Sequence, residues 1–247
     1  MQNKRNNVSW FKDWFDSPYY HLLYKNRDCV EAEHFINNIL NYLTPKKNAK
    51  ILDVACGKGR HAIFINKQGF TVDAFDLSEN SIAEAKQSET ETLKFFINDI
   101  REPLKVNFYD FALNIFTSFG YFTDENDNQK SMDAIAKSLT TNGILVIDFL
   151  NSNYTISNLI TIETKLVENI TFNITKEIEN SFIVKHIQFK DNNTDFHFTE
   201  RVKLLQLTDF KKYLTNSGLT IEATFGDYCL NPFNENNSER LIIIAKK

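Results

Sequence analysis

Short apolar runs alternate with segments of helical periodicity between residues 50 and 150, and this alternation limits the possible folds most. The runs KILDVA, TVDAFDL, LKFFINDI, YDFALNIF and GILVIDFL predict five strands. Helical spacing is present in RHAIFINKQG, in SENSIAEAKQS and over roughly residues 126–139. Strands that alternate with helices are typical of right-handed crossovers and a parallel sheet covered on both faces. The pattern therefore predicts an α/β domain.

Two segments lie outside this alternation. Residues 28–43 place apolar side chains on one helix face, and together with the preceding residues they predict a helical cap over 1–48. Within an insert expected over 151–204, the stretch from residue 164 onward is rich in β-branched and aromatic residues, is broken by Asn-containing turns and lacks a good helix, so we expect antiparallel strands there. A last helix, LTDFKKYLTNSG, and two strands, LTIEATFG and RLIIIAKK, follow. The α/β domain is thus expected over 49–150 and 205–247.

Composition argues against several functional classes. The net charge is −4, with 28 basic against 32 acidic residues and no basic stripe, which disfavours a nucleic-acid partner. Three widely spaced cysteines form no CxxC pair, and no apolar run approaches the ~20 residues that span a bilayer. We expect a cytoplasmic protein with no membrane partner. Asp148 and Asn151 together are too few for a metal site, so no metal is expected.

The stretch DVACGKGRH carries two glycines where the first strand must turn into its helix. Gly57 and Gly59 permit unusual backbone angles, and their missing Cβ atoms allow a ligand to approach the backbone. The helix N-terminus that follows suits a carboxylate or phosphate. Asp53 lies in an otherwise apolar strand, where an unpaired charge is costly. We therefore expect it to reach the strand end and to meet a ligand ammonium or backbone N–H groups.

Acids also end the next two predicted strands. Asp76 has the position of a carboxylate that accepts both hydroxyls of a ribose, and Asp99 could receive an adenine amino group beside the N–H of Ile100. The carboxyl ends of parallel strands meet at one crevice, so we expect these acids to converge there with Asp53. By spacing alone the glycine pattern fits NAD as well as other adenosine ligands.

These motifs together resemble the class I S-adenosylmethionine-dependent methyltransferases. DVACGKGRH is similar to their first motif, VDAFDLSENSIAEAK to the second, NDI to the third and YDFALNIFTSFGYF to the fourth. The resemblance covers about residues 28–150 and 205–247, although the extra glycine common before Cys56 is absent. It implies a Rossmann-like, doubly wound seven-stranded sheet whose last strand is antiparallel. Residues 151–204 resemble, more weakly, the β-rich substrate lid of small-molecule methyltransferases.

The resemblance implies S-adenosylmethionine as cofactor, a small-molecule methyl acceptor and a ligand map. Asp53 and the two glycines would surround the methionine part, Asp76 the ribose, and Asp99 the adenine. Arg60 would pair with the cofactor carboxylate or with a surface acid. The complete set of expected cofactor-binding residues is Tyr19, Asp53, Ala55, Gly57, Gly59, Arg60, Asp76, Leu77, Asp99, Ile100, Phe116, Ser118 and Phe119.

Methyl transfer from a sulfonium is an in-line displacement, so the enzyme mainly aligns the reacting atoms, and aromatic faces suit the cation. We hypothesise that the aromatic segment DWFDSPYYHLLYKNR folds over the cofactor and that Tyr19 or Tyr20 touches it; the alternative is an aromatic helix packed on the sheet. Candidate catalytic residues are Tyr20, His61, His197 and Glu200, each of which could instead be structural. Strand alternation separates His197 from Glu200. A free amine or thiolate acceptor would need no base.

Other functions stay open at this stage. An NAD-linked oxidoreductase is one alternative. Three features argue against it: Asp53, the aromatic stretch after the fourth strand and the closing hairpin. A cofactor-binding protein without turnover is another, because the sequence says least about the acceptor. No Asn-Pro-Pro-Tyr-like motif follows the fourth strand, which disfavours a nucleic-acid methyltransferase. A homodimer is also kept open.

Overall fold

The computed structural model describes residues 10–25 and 29–247, and its strands form two separate sheets. The larger sheet contains β1 (Lys50–Val54), β2 (Thr71–Asp76), β3 (Leu93–Ile97), β4 (Tyr109–Asn114), β5 (Leu139–Leu150), β10 (Thr220–Phe225) and β11 (Arg240–Lys246). The smaller sheet contains β6 (Ile162–Val167), β7 (Ile170–Glu179), β8 (Phe182–Asp191) and β9 (Thr194–Lys203). The α-helices are α1 (Trp10–Phe15), α2 (Pro18–Leu23), α3 (Cys29–Leu43), α4 (Arg60–Lys67), α5 (Glu79–Ala85), α6 (Glu125–Ser138), α7 (Ser152–Ser157) and α8 (Leu207–Asn216).

The seven strands of the larger sheet are ordered β10-β11-β5-β4-β1-β2-β3. The last strand, β11, is antiparallel to both of its neighbours, and the pairs among β1 to β5 are parallel. This confirms the predicted Rossmann-like sheet. The chain leaves β1 toward β2 and β3, then crosses back to place β4 on the other side of β1. Such a reversal opens a crevice at the carboxyl ends of the strands, where α/β sheets bind ligands.

Helices cover both faces of the larger sheet. Met132, Ile135 and Leu214, from α6 and α8, are buried on one face, and Phe35 and Ile65, from α3 and α4, are buried on the other. Both faces of the central strands are therefore apolar, as in sheets enclosed on two sides. A rigid two-sided core of this kind holds the strand ends in fixed positions.

The insert forms the antiparallel sheet β6-β7-β8-β9, in agreement with the expected antiparallel strands. Trp14 and Leu23, from α1 and α2, share a buried cluster with Phe172, Ile187 and other apolar residues of this sheet. The N-terminal aromatic residues therefore pack mainly on the insert, rather than as a helix on the larger sheet.

The insert also contains a short helix that the sequence pattern did not predict. Ser152–Ser157 form the short helix α7, which begins at Asn151, whose side chain accepts a hydrogen bond from the N–H of Asn153 at 3.2 Å. The same side chain donates to the carbonyls of Glu235 and Ser238 at 2.9 and 2.7 Å. The N-cap and the two hydrogen bonds to this distant loop stabilise α7. The helix is too short to show apolar periodicity in the sequence.

The division into a cap (1–48), an α/β domain (49–150 and 205–247) and a lid (151–204) remains a prediction. Residues 1–9 and 26–28 of the cap lie outside the described residues. Within the ranges 10–25 and 29–247, no helix is long and apolar enough to cross a membrane.

Candidate active site

A cavity of about 890 Å³ lies at the carboxyl ends of β1, β2, β3 and β4. Its volume falls in the range of small-molecule and cofactor sites. The floor is the glycine turn after β1 and the ends of the neighbouring strands, and aromatic residues after β4 form one side. The N-terminal helices and strands β8 and β9 of the insert contribute the opposite wall. The cavity therefore joins all three predicted parts of the chain.

The two glycines of the turn after β1 have different structural roles. Both have left-handed backbones, with φ of 55° at Gly57 and 77° at Gly59. A Cβ on Gly57 would meet nothing within 4 Å, and Gly57 lines the cavity, so its backbone is open to a ligand. A Cβ on Gly59 would lie 2.3 Å from Cε1 of Phe95. Gly59, which was expected to bind the cofactor, does not line the cavity and instead allows the turn to pack against β3.

Asp53 contributes a buried carboxylate to the cavity at the end of β1. The residue is 1% exposed, and its Oδ2 has no hydrogen-bond partner. Burial raises its pKa to about 7, while a hydrogen bond from the backbone N–H of Ala62 opposes the shift and Asp76 adds to it. A buried acceptor without a donor is costly, so a ligand donor at Oδ2 would be stabilising.

Asp76 is oriented by the backbone around it. Its Oδ2 accepts from the N–H of Gly57 at 2.8 Å, and its Oδ1 accepts from the N–H of Ser78 at 2.9 Å. Burial raises the pKa of this carboxyl, and these backbone hydrogen bonds oppose the rise. The carboxylate is thus fixed at the end of β2 and lines the cavity with the adjacent Leu77.

Asp99 lines the cavity but is also half of an ion pair. Its Oδ1 accepts from the backbone N–H and Nε of Arg101 at 2.9 and 3.0 Å, and its Oδ2 accepts from the same guanidinium at 2.6 Å. Hydrogen bonding to Arg101 lowers the pKa of Asp99. A carboxylate offers about four lone-pair sites, so an adenine amino group would have to share Asp99 with Arg101. The neighbouring Ile100 also lines the cavity.

The loop after β4 is held in an uncommon conformation by a buried ion pair. Phe116 and Thr117 have φ of 57° and 62°, and their N–H groups bond to the Oδ2 and the carbonyl of Asp148 at 2.7 and 2.9 Å. Arg240 donates from Nε to the other oxygen of Asp148 at 2.8 Å, and from Nη2 to Thr117 Oγ1 at 3.0 Å. Left-handed non-glycine residues persist only where the surroundings impose them. Asp148 therefore organises this loop, a role that the sequence did not indicate.

Aromatic and basic groups meet where this loop faces the glycine turn. The His61 ring stacks on Phe116, with ring centroids 4.7 Å apart and an interplanar angle of 14°. Arg60 lies beside the same stack, with its guanidinium carbon 5.9 Å from the Phe116 centroid. Both residues line the cavity, as do Ala55, Ser118 and Phe119 from the expected cofactor-binding set.

The N-terminal segment, residues 10–25, connects the insert to the α/β domain across the cavity. Trp14 Nε1 and Tyr24 Oη donate to Glu200 Oε1 at 2.6 and 2.8 Å, and Lys185 pairs with Glu200 Oε2 at 3.2 Å. At the other end, Asp16 accepts from Ser78 Oγ at 2.5 Å, at the start of α5. Glu200 is thus held by three donors and acts as an anchor for this segment.

The remaining candidates divide between the inside and the outside of the cavity. Tyr20 lines it. Tyr19 does not: its hydroxyl donates to Asp191 at 2.8 Å, and its ring packs against Phe189. His197 lies on the outer side of the insert, 3.4 Å from His186, on the strand face opposite Glu200. The hypothesis of an N-terminal tyrosine at the cofactor therefore narrows to Tyr20.

Sequence reasoning missed Tyr24, Glu31, Lys185 and Arg240, which also line the cavity. Tyr24 belongs to the quoted aromatic segment and could have been included. Lys185 and Arg240 had no local signal, because only the folded chain brings the insert and β11 to the strand ends.

A family model for the methyltransferase domain matches residues 45–214. The chain belongs to the methyltransferase domain family. A candidate methyltransferase of Geobacillus sp. (strain WCH70) is 26% identical over 230 residues, which cover 87% of this chain and 91% of the relative. This chain is an S-adenosylmethionine-dependent methyltransferase, and S-adenosylmethionine is its cofactor. The NAD-linked and non-catalytic alternatives are not favoured.

Solved structures share this fold. A crystal structure of an S-adenosylmethionine-dependent methyltransferase from Clostridium acetobutylicum superposes with a TM-score of 0.77 and 20% identity, covering 92% of this chain and 95% of that one. The sugar N-methyltransferase KedS8 from a Streptoalloteichus species superposes with a TM-score of 0.72 and 19% identity, covering 92% of each chain. At these identities the likeness establishes the fold of the methyltransferase.

Proposed function

We propose that this methyltransferase transfers a methyl group to a small-molecule acceptor bound in the cavity between the glycine turn and the insert. The observation that carries the proposal is the cavity of about 890 Å³ enclosed between the strand ends, the N-terminal segment and strands β8 and β9. Such walls favour an acceptor of a size similar to the cofactor over a macromolecule. KedS8, which shares this fold, is a sugar N-methyltransferase, and this supports the same acceptor class.

The residues at the strand ends fit S-adenosylmethionine. The unpartnered Oδ2 of buried Asp53 suits an ammonium donor, and the open backbone of Gly57 suits a close approach. We assign Asp76 to the ribose hydroxyls, since its two oxygens are already oriented by backbone donors. Asp99 and Ile100 are assigned to the adenine. When bound, S-adenosylmethionine supplies an electrophilic methyl group on a sulfonium.

The protein's own residues would align the acceptor, exclude water and stabilise positive charge. Phe116, Tyr121 and Phe122 line the cavity with Tyr20, and such aromatic faces stabilise cations. Tyr20, His61 and Glu200 all line the cavity, and Tyr20 and His61 remain candidate catalytic residues. Glu200 is assigned a positioning role, because three donors already hold its carboxylate. The cytoplasm remains the predicted compartment.

Methyl-label transfer from S-adenosylmethionine to a cell extract tests the acceptor class. The purified protein is incubated with labelled cofactor and extract, and the products are divided into acid-soluble small molecules and acid-precipitable polymers. We expect the label in the acid-soluble fraction, and we expect Asp76→Ala to abolish most of it. Label only in protein or nucleic acid would contradict the proposal.

A further inference from the structure

Strand β6 is an edge of the insert sheet. Within the described parts of the chain it pairs only with β7, in an uninterrupted register from Ile162 opposite Thr175 to Val167 opposite Ile170. The other edge strand, β9, packs against α1, where Trp14 lies 4.6 Å from the Phe198 ring. β6 contains no proline and its register has no bulge, and these are two common means of protecting an edge from further pairing.

The hydrogen-bond alternation of the β6–β7 pair shows which backbone groups point away from β7. The N–H of Lys176 bonds to the carbonyl of Thr161 at 2.8 Å, so this is a hydrogen-bonded pair. In an antiparallel ladder, hydrogen-bonded pairs alternate with pairs whose backbone groups point away from the partner strand. Glu163, Lys165 and Val167 therefore bond to β7, while the backbone groups of Ile162, Thr164 and Leu166 point to the outer edge.

The same outward-pointing residues carry exposed aliphatic side chains. Ile162 is 74% exposed and Leu166 is 72% exposed, and the adjacent Ile160 is 63% exposed. Ile162, Thr164 and Leu166 share one face of the strand because side chains alternate. An edge strand that combines outward backbone groups with exposed aliphatic residues is suited to pairing with another strand.

The sequence of β6 is self-complementary about Thr164. In an antiparallel pair with a two-fold axis through Thr164, Ile162 lies opposite Leu166 of the other copy. Glu163 then lies opposite the other copy's Lys165 at both symmetric positions. Opposite charges facing each other across a strand pair are stabilising, whereas like charges are destabilising.

Neighbouring registers lose this complementarity. An axis through residue 163 places Glu163 opposite its own copy, and an axis through residue 165 places Lys165 opposite its own copy. An axis that passes between two residues would place residues whose backbone groups face the outer edge opposite residues whose backbone groups already bond to β7. No ladder of hydrogen bonds between the copies could then form. The axis at Thr164 satisfies the backbone pattern, the charges and the aliphatic side chains together.

We propose that β6 pairs antiparallel with β6 of a second copy of this chain about a two-fold axis through Thr164. The two four-stranded insert sheets then form one eight-stranded sheet. Three outward residues on each copy form hydrogen-bonded pairs, and the Ile162 and Leu166 side chains of both copies meet on one face. This inference is independent of the methyl acceptor.

Charge reversal tests this interface by sedimentation velocity on the full chain. We expect the wild-type protein to be a dimer. In the Lys165→Glu dimer, a carboxylate faces Glu163 of the other copy at both symmetric positions. In the Glu163→Lys dimer, an ammonium group faces Lys165 of the other copy at both positions. Each change should weaken dimerisation by about tenfold or more, because two attractive pairs become repulsive. Lys190→Glu, the same change at an exposed position of β8, should leave the dimer intact.

Two complementation experiments distinguish a direct charge pair from a general loss of stability. The double variant Glu163→Lys/Lys165→Glu restores the unlike pairs between the copies, although it also removes the ion pair of Glu163 with Lys176 at 3.2 Å within each copy. It should therefore dimerise more tightly than either single variant. A mixture of the two single variants should form a heterodimer, because one copy then carries two acids and the other two bases. A monomeric wild type, or single variants that dimerise normally, would overturn the proposal.

A backbone change tests the ladder itself. Thr164→Pro removes an outward N–H but no bond to β7, and proline is tolerated on such an edge. We expect a monomer whose circular dichroism matches the wild type, while Thr164→Val, which keeps the N–H, should remain dimeric. A dimer of undiminished affinity in Thr164→Pro would also overturn the proposal.

Discussion

On the floor of the cavity, Asp76 is oriented by backbone groups of the turns between strands and helices, whereas on the opposite wall Glu200 is held by side chains of the N-terminal segment and of strand β8. Asp76 accepts from the N–H groups of Gly57 and Ser78. Glu200 instead accepts from Trp14, Tyr24 and Lys185. The difference indicates that the cofactor side is built into the α/β fold, while the acceptor side depends on how the N-terminal segment and the insert come together.

The largest expected change in stability comes from alanine substitution at the glycine turn, and it should differ between the two glycines. Gly59→Ala should lower the free energy of unfolding by about 3 kcal/mol, because its Cβ meets the Phe95 ring and its φ is 77°. Gly57→Ala, with no steric contact from the protein, should cost only about 1 kcal/mol but should weaken S-adenosylmethionine binding. Urea unfolding and calorimetry measure the two quantities. Equal destabilisation of both variants would contradict this assignment.

Asp76→Ala tests the cofactor floor directly. It should weaken S-adenosylmethionine binding by about 2 kcal/mol, or about thirtyfold, which is typical of hydrogen bonds to a charged group. Isothermal titration calorimetry gives the affinity, and Asp195→Ala, at an exposed hairpin position of the insert, is the control. An unchanged affinity in Asp76→Ala would remove this residue from the site.

The raised pKa of Asp53 predicts a pH dependence. Between 3.8 and about 7 the folded state retains a proton that the unfolded state has lost, so wild-type stability should fall as the pH rises through this range. Asp53→Asn should lack this fall and should be more stable than the wild type at pH 8 by about 2 kcal/mol. Urea unfolding across this pH range checks both trends.

The same substitution should weaken cofactor binding, because a neutral amide replaces the carboxylate assigned to the ammonium. S-adenosylmethionine binding by the wild type should strengthen between pH 6 and pH 8 as Asp53 loses its proton. A flat stability profile in the wild type, or tighter binding in Asp53→Asn, would contradict the account.

The smallest expected effect concerns the anchor on the acceptor side. Glu200→Gln replaces a charged acceptor, so stability should fall by about 1 kcal/mol. The KM for the acceptor should rise, while the affinity for S-adenosylmethionine should change less than in Asp76→Ala. A Glu200→Gln enzyme with a normal KM but a large loss of kcat would indicate a base instead of an anchor.

The two sides of the cavity also differ in how far the sequence predicted them. The alternation of strands and helices and the approach of Asp53, Asp76 and Asp99 to one cavity follow from local periodicity and from the rule that parallel strands end at one edge. The seven-stranded sheet and its antiparallel last strand were implied by the resemblance to a known family. Long-range pairing is not encoded in periodicity. The sequence therefore did not reveal the Asp148–Arg240 pair or the three donors to Glu200.

The other features that the sequence analysis did not predict depend on contacts of individual side chains. Arg101, two residues from Asp99, forms an ion pair that shares the expected adenine acceptor, and Asn151 caps a helix too short to show periodicity. Gly59 proved to be a packing position because Phe95 comes from β3, which the turn itself cannot reveal.

A crystal structure of the full chain with S-adenosylhomocysteine tests the central claim most directly. We expect the amino group of the ligand within hydrogen-bond distance of Asp53 Oδ2 and the ribose hydroxyls on Asp76, with the backbone of Gly57 against the ligand. A ligand bound elsewhere, or in this cavity with Asp53 and Asp76 making no contact to it, would contradict the account.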